Sequence, residues 1–491
     1  MPASNLIERV STLIGTYRAS LGTEGREDLA ALEQRLREPV RVAVVGRVKA
    51  GKSTMVNALL GQRVAPTEVG ECTKVVTWYR YGHPQRAEVR RKDGTSLAQP
   101  LGTDGLLPVD FGVPAESIAS VQAFLANEAL RSMTLIDTPG IGSVHAEISL
   151  STRELLQAAQ DSATEAAKAD AVVFLLNQVL MDDELEALEL FHASSGDGAS
   201  SAANAVGVLS RADQLSDGRR DSWDVAIELA GRFATQFRRE VATVVPVMGL
   251  LAETAETAGL TEMDAKHLGA LATMDAGRFE RLLWSADRFV TAEAPVDARA
   301  RERLLVLLDL YGVQRAVASL RQGTSGAGAL RRELSALSGI AGVKQTLLSY
   351  FREHDHVLKV RSVLNQLDRL AFEPSGTAPD GTLRRLRADV EALRLDPVMQ
   401  PVAELEAWHD CSTERASFGA DVLDELRRLF APGSTAGRIG AASDDPAVVA
   451  SVARDGMVRW RTFLVTEAAP AEAKVARVAL RSYQLAWEGA Q

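Results

Sequence analysis

The stretch GRVKAGKST, Gly46 to Thr54, constrains this chain more than any other. Before it runs VRVAVV, a short β-branched apolar segment that reads as a buried strand. After it runs MVNALLG, with apolar side chains at helical spacing. A loop that leaves a buried strand and opens a helix aims backbone N–H groups and the positive end of the helix dipole at one point. That is a cradle for a phosphate. Gly46 to Ser53 fits G-x-x-x-x-G-K-[ST]. In such a loop Lys52 reaches the β- and γ-phosphates of a nucleotide, and the Ser53 hydroxyl ligates Mg2+. The backbone of Gly46, Lys49, Ala50, Gly51 and Thr54 lines the cradle.

Two companion motifs follow in order. LIDTPG at 135–140 ends an apolar strand with Asp137, where a carboxylate belongs beside Mg2+. Gly140 leaves room for its N–H to meet a γ-phosphate. Asp-x-Pro-Gly is also good turn chemistry, and the order of the motifs is what favours the nucleotide. VLSRADQL at 208–215 ends another strand with Asp213 and is similar to the [NT]-K-x-D element that reads guanine. Asp213 accepts from guanine N1–H and N2–H2, and Arg211 lies along the base. Adenine lacks that pair of donors and leaves a carboxylate unpaired. Ser210 and Arg211 depart from the usual Asn or Thr and Lys. VVPVMGL at 244–250 places a base-and-ribose loop near Met248 and Gly249, or simply ends a strand.

Thr73, between the cradle helix and the next strand, is the expected switch threonine covering Mg2+ and the γ-phosphate; Thr67 competes with it. After DTPG, many small GTPases carry a Gln that orients the attacking water. Ile141 stands there and cannot. Phosphoryl transfer needs positioning and positive charge more than a strong base. Lys49, inside the loop, is the expected source of that charge, or else a solvated surface lysine.

The rest of the chain divides into two kinds of pattern. Apolar β-branched runs (RVAVV, KVVTWYRY, AEVRR, MTLID, AVVFLL, AVGVL, VATVVPV) alternate with helical patterns such as 149–168, 182–193 and 222–240. This predicts a mostly parallel sheet with helices on both faces. After about residue 250 the strands stop. Helical patterns cover 259–291, 298–321, 342–372, 382–394, 402–430 and 447–488, with 431–445 expected to be loose. N-terminal helices are expected at 4–20 and 26–37. At 491 residues the chain is long enough for two or three structural units. Its net charge of −10 excludes a general polyanion binder, so no nucleic-acid partner is expected. Two cysteines, Cys72 and Cys411, suit a reducing compartment and make no metal cluster. No stretch approaches the ~20 apolar residues of a membrane span, and the N-terminus lacks the apolar core of a signal peptide. The expected location is cytoplasmic, with peripheral contact on the inner face of the plasma membrane.

KAGKSTMVNALLG followed closely by RVAPTEVGECTKVVTWYRYG resembles the bacterial dynamin-like GTPases, and DTPG, SRADQL, VVPVMGLLA and SADRF continue the resemblance in order. The resemblance implies an α/β P-loop GTPase domain on an all-α neck or stalk. The expected division is 1–38 as helices packing on the neck, 39–345 as the GTPase domain with a helical addition at about 250–330, and 346–491 as the neck. It implies GTP hydrolysis with Mg2+, head-to-head homodimers, a possible second dynamin-like partner, and membrane remodelling under envelope stress. The alternative is a regulatory switch or a low-turnover scaffold that never touches lipid. For membrane contact the sequence offers Leu395, Val398, Met399 and Val402 in a Pro-containing loop near Arg384, Arg385, Arg387 and Arg394; the same loop also reads as a helix–helix turn.

Overall fold

The structure is a computed structural model that describes residues 2–47, 49–66, 75–102, 105–108, 110–139, 169–178, 205–215, 220–237, 240–372, 381–412, 416–431, 433–466 and 469–491. Among these lie nine strands: β1 Val40–Val45, β2 Thr77–Tyr81, β3 Arg86–Arg91, β4 Ser96–Gln99, β5 Ile118–Leu125, β6 Met133–Asp137, β7 Ala171–Leu176, β8 Ala205–Leu209 and β9 Val244–Pro246. They form one sheet in the order β4-β3-β5-β2-β6-β1-β7-β8-β9. β6, β1, β7, β8 and β9 all pair in parallel. β2 runs antiparallel to β6 and parallel to β5, and β3 is antiparallel to both β5 and β4. The parallel half is the half that carries the motifs.

β1 shows why its sequence reads as a continuous apolar run. Val40, Val42 and Val44 enter the core on one face, while Ala43 and Val45 enter the core on the other. A strand covered on both sides has no polar face to show. On the first face lie α1 Pro2–Arg18, α2 Thr23–Arg37 and α3 Lys52–Leu60, joined by two helices from much later in the chain, α11 Ile340–Phe372 and α12 Thr382–Arg394. On the second face lie α4 Ser222–Gln236, α5 Gly249–Glu256, α6 Glu262–Ala272, α7 Ala276–Leu282, α8 Ala286–Thr291, α9 Ala298–Arg321 and α10 Gly326–Ser338. A third core joins the end of α13 Gln400–Ser412 to α14 Ala420–Phe430, α15 Thr435–Ile439, α16 Pro446–Thr466 and α17 Pro470–Gly489.

The α/β head and the helical remainder match the expected fold class, and several details differ. β5 was not expected as a strand, because Ser120 and Gln122 interrupt its apolar pattern; both are buried. The span 402–430 is two helices, with Gly419 capping the second. The span 447–488 is also two, since Pro470 begins a new helix at its first turn. The supposedly loose 431–445 contains α15, capped by the Ser434 side chain and burying Ala436 and Ile439. The span 259–291 is three short helices, each started by a side chain, from Thr261, Asp275 and Ser285. The helical patterns at 149–168 and 182–193 lie outside the described residues.

Candidate functional site

β6 and β7 flank β1 in parallel, so the three strands end at one edge of the sheet. The loop from Gly46 to Gly51 leaves β1 there. Gly46 is pressed against β7: a Cβ on it would lie 3.1 Å from the Leu175 Cβ and 3.2 Å from the Leu175 carbonyl oxygen. Glycine keeps this approach free of a tight contact. Lys49 and Gly51 are both left-handed, with φ of 64° and 93°. Those reversals turn the loop over the first turn of α3, with Gly51 as its cap.

Lys52 is buried beneath the loop, and its Nζ donates to the carbonyl oxygens of Gly46 at 3.1 Å and Arg47 at 2.9 Å. Burial lowers its pKa, and the nearby Asp137 charge works the other way. Ser53 Oγ donates to Asp137 Oδ2 at 3.1 Å. The other oxygen, Asp137 Oδ1, is buried and has no hydrogen-bond partner. Burial pushes this carboxyl up to about 6, against the pull of Lys52 and Ser53. Thr138 Oγ1 donates to the Val44 carbonyl at 2.9 Å and so pins the end of β6 to β1, which holds Asp137 at the foot of α3. A hydroxyl and a carboxylate oxygen side by side are the hard donors that Mg2+ takes from a protein while phosphates and water complete its shell. A buried unpaired carboxylate oxygen is costly unless a positive group meets it.

The other end of the site follows β8. Ser210 is buried, and its Oγ donates to the Leu176 carbonyl at 3.1 Å. It braces β8 against β7. Arg211 is left-handed, φ 55°, and its Nη2 donates to the carbonyl of Lys49 at 2.6 Å. This bond ties the strand end carrying Asp213 to the phosphate loop. Asp213 is half-buried; burial raises its carboxyl above the usual range, with Asp309 adding to the rise and Arg211 opposing it. Backbone bonds from Ala212 to Val247 and from Val247 to Leu209 carry the next loop alongside. Gly249 reaches the first turn of α3, where a Cβ on it would lie 3.6 Å from Thr54 Cγ2. The structure thus brings together Gly46, Lys49 to Thr54, Asp137, Ser210 to Asp213 and Gly249.

Met248 and the apolar loop are placed elsewhere than expected. Met248 is 1% exposed and its side chain belongs to the core, while its N–H donates to the Ser338 carbonyl at 2.9 Å. Thr73, Thr67 and Gly140 lie outside the described residues. The apolar loop offered for lipid is a helix–helix turn. Asp396 Oδ1 accepts from the Val398 N–H at 3.0 Å and starts a tight turn that sends its apolar side chains inward. Met399 and Val402 are 1% and 2% exposed, and Val398 packs on the same core; Leu395 alone is exposed.

Asn57 was missed. It is fully buried on α3, and its amide donates to the Ala65 carbonyl at 2.9 Å and to Glu253 Oε1 at 2.8 Å. Its Oδ1 accepts from the N–H groups of Val64 and Ala65. One amide, fully satisfied, holds the chain leaving α3 and joins it to α5. The signal was a single polar residue within MVNALLG.

A family profile described as the 50S ribosome-binding GTPase matches residues 41–197. The isoniazid-induced protein IniC of Mycobacterium tuberculosis is 32% identical over 446 residues, which cover 88% of this chain and 87% of that protein. The chain belongs to the IniC family of bacterial dynamin-like GTPases. The likeness to IniC extends well beyond the GTPase profile and into the helical part. A bacterial dynamin-like protein of Nostoc punctiforme is 39% identical over 74 residues, 15% of this chain and 11% of its own. Among solved structures, a chain of an oligomerised bacterial dynamin pair aligns over 99% of this chain and 90% of its own length at 13% identity, with a TM-score of 0.34. No helix among the described residues is long and apolar enough to cross a membrane.

Proposed function

We propose that this protein binds GTP with Mg2+ and hydrolyses it, and that turnover depends on association of two GTPase heads. The observation that carries the reading is the pairing of Ser53 with Asp137, whose second oxygen is buried without a partner, beside Lys52 at the start of α3. Ser53 and Asp137 hold the metal, with Thr73 as the expected third group. When bound, Mg2+ supplies positive charge to the β- and γ-phosphate oxygens. The N–H groups of the loop orient the phosphates, and Lys52 adds a fixed charge. Gly140 gives an N–H to the γ-phosphate. Asp213 reads the guanine edge, and Arg211 lies beside the base while bracing the phosphate loop.

Lys49 is the proposed cation for the transferring phosphoryl group. Its side chain is exposed at the loop, and its backbone is held from below by Arg211. Lys49→Ala is expected to lose turnover while keeping GTP affinity; unchanged turnover would remove Lys49 from the mechanism. The head is taken as 39–345 and the neck as 1–38 with 346–491, and the packing of α1 and α2 on α11 supports grouping the N-terminal helices with the later part of the chain. In this reading the neck carries motion in the head to a membrane surface in the cytoplasm. The second reading, a low-turnover switch or a scaffold for another dynamin-like protein, is favoured by Ile141 at the usual position of a water-orienting Gln.

The direct test is equilibrium binding of a fluorescent GTP analogue with Mg2+ and with EDTA. Wild type should bind more tightly with Mg2+, and Asp137→Asn should lose roughly 10–100-fold of that gain. An Asp137→Asn protein with an unchanged response to Mg2+ would sink the assignment.

A further inference from the structure

Guanine presents three hydrogens on the edge that distinguishes it from adenine, one on N1 and two on the 2-amino group. One carboxylate takes two of them in a bidentate pair, as the proposed role of Asp213 requires, and leaves the third without an acceptor. A second carboxylate lines the same cleft as Asp213. Helix α9 is broken at Asp309, where φ is 53° and ψ 178°. That conformation is close to glycine-only territory and strains a residue with a Cβ. Nothing in the local sequence, LLVLLDLYG, calls for a break there.

The break is held from several sides. Thr254 Oγ1 on α5 donates to the Leu307 carbonyl just before it. Asp309 Oδ1 accepts from the N–H of Leu310 at 2.6 Å and starts the helix again. Beyond it, Tyr311 Oη and Arg315 Nη1 donate to the two oxygens of Asp221, at 2.9 and 3.1 Å, and Asp221 also caps the first turn of α4. The second half of α9 is thus strapped to the helix that follows the Asp213 turn. Asp309 and Asp213 line one cleft of about 470 Å3, together with Gln214, Tyr311 and Gln314.

We infer that Asp309 is a second carboxylate of the base site, accepting the 2-amino hydrogen that Asp213 leaves over. The inference rests on the reading of Asp213 as the guanine acceptor. The strain at Asp309 then has a use, since an unbroken α9 would carry this side chain elsewhere. The charge of Asp309 also reaches Asp213, where it disfavours ionisation, and a base donating to both carboxylates relieves that repulsion.

The experiment compares binding of GDP with binding of inosine diphosphate, which lacks the 2-amino group, in wild type, Asp309→Asn, Asp309→Gly and Asp213→Asn. Asp309→Asn keeps an oxygen for the Leu310 N–H, and Asn tolerates positive φ, so the fold is retained. Its preference for GDP over inosine diphosphate should fall roughly 5–10-fold, with affinity for inosine diphosphate little changed. Asp309→Gly should melt at or above the wild-type temperature because the backbone strain is gone, and yet show the same loss of preference. A purely structural helix cap would not separate those two readouts. Both Asp309 variants keeping the wild-type preference would overturn the inference while leaving Asp213 in place. Asp213→Asn keeping that preference would instead overturn the reading of Asp213, and the role of Asp309 with it.

Discussion

Asp137 carries a carboxyl whose burial pushes it up to about 6, from an ordinary value near 3.8. An acid with a raised pKa in the folded state binds its proton more tightly when folded. The stability linked to it is therefore present at low pH and is lost as pH rises from about 4 to about 6. Asn at this position mimics the protonated acid at every pH. Ligand-free Asp137→Asn in EDTA should be the more stable protein at pH 7.5, by about 3 kcal/mol, with a smaller margin at pH 5. Thermal melts at the two pH values check this, and a margin independent of pH would contradict it. The placement of Lys52, Ser53, Asp137 and Asp213 is legible in the sequence because each stands at a fixed offset from the end of a buried strand. Asn57, Thr138 and Asp309 are not, because their roles come from contacts with distant carbonyls and helices. Met248 misleads because a strand end and a base loop look alike until the Ser338 carbonyl takes its N–H.

Among the elements, α3 and the strands around β1 follow directly from an apolar run, a glycine loop and a helical stripe. The long helical patterns toward the C-terminus are harder to divide. α16 and α17 read as one helix because the apolar periodicity passes across the break, and only Pro470 marks it. The two helices pack closely. A Cβ on Gly456 would lie 2.4 Å from Tyr483 Cδ1, so glycine is required where α16 meets that ring. The Tyr483 hydroxyl in turn donates to the buried Glu425 at 2.8 Å, and the Trp460 indole donates to the same oxygen at 3.1 Å. Gly456→Ala should overpack this contact and cost about 1–3 kcal/mol. Urea unfolding measures the loss, and nucleotide binding by the distant head should be unchanged. A wild-type unfolding curve for Gly456→Ala would mean that α16 and α17 do not sit this close.

At the scale of the whole molecule, the N-terminal helices, the sheet and α11 share one continuous core. A buried ion pair between Arg35 of α2 and Asp170, just ahead of β7, adds a polar lock, and Asp170 also accepts from the Arg41 N–H at 2.7 Å. The two ends of the chain differ in their route back to the head. The first helices pack directly on it, while the third core, in α13 to α17, joins it through α13, whose Val402 and Leu405 lie in the first core, and through Arg427, which donates to the Ala242 carbonyl. The proposed coupling of the phosphate loop to the helices has to run through these contacts. The most direct test is GTP hydrolysis across a range of protein concentrations, with and without anionic liposomes, and with Lys52→Ala as the blank. Specific activity that climbs with protein concentration, and climbs further with liposomes, is the predicted result. A low rate that stays flat under both would contradict coupling of the heads to a membrane.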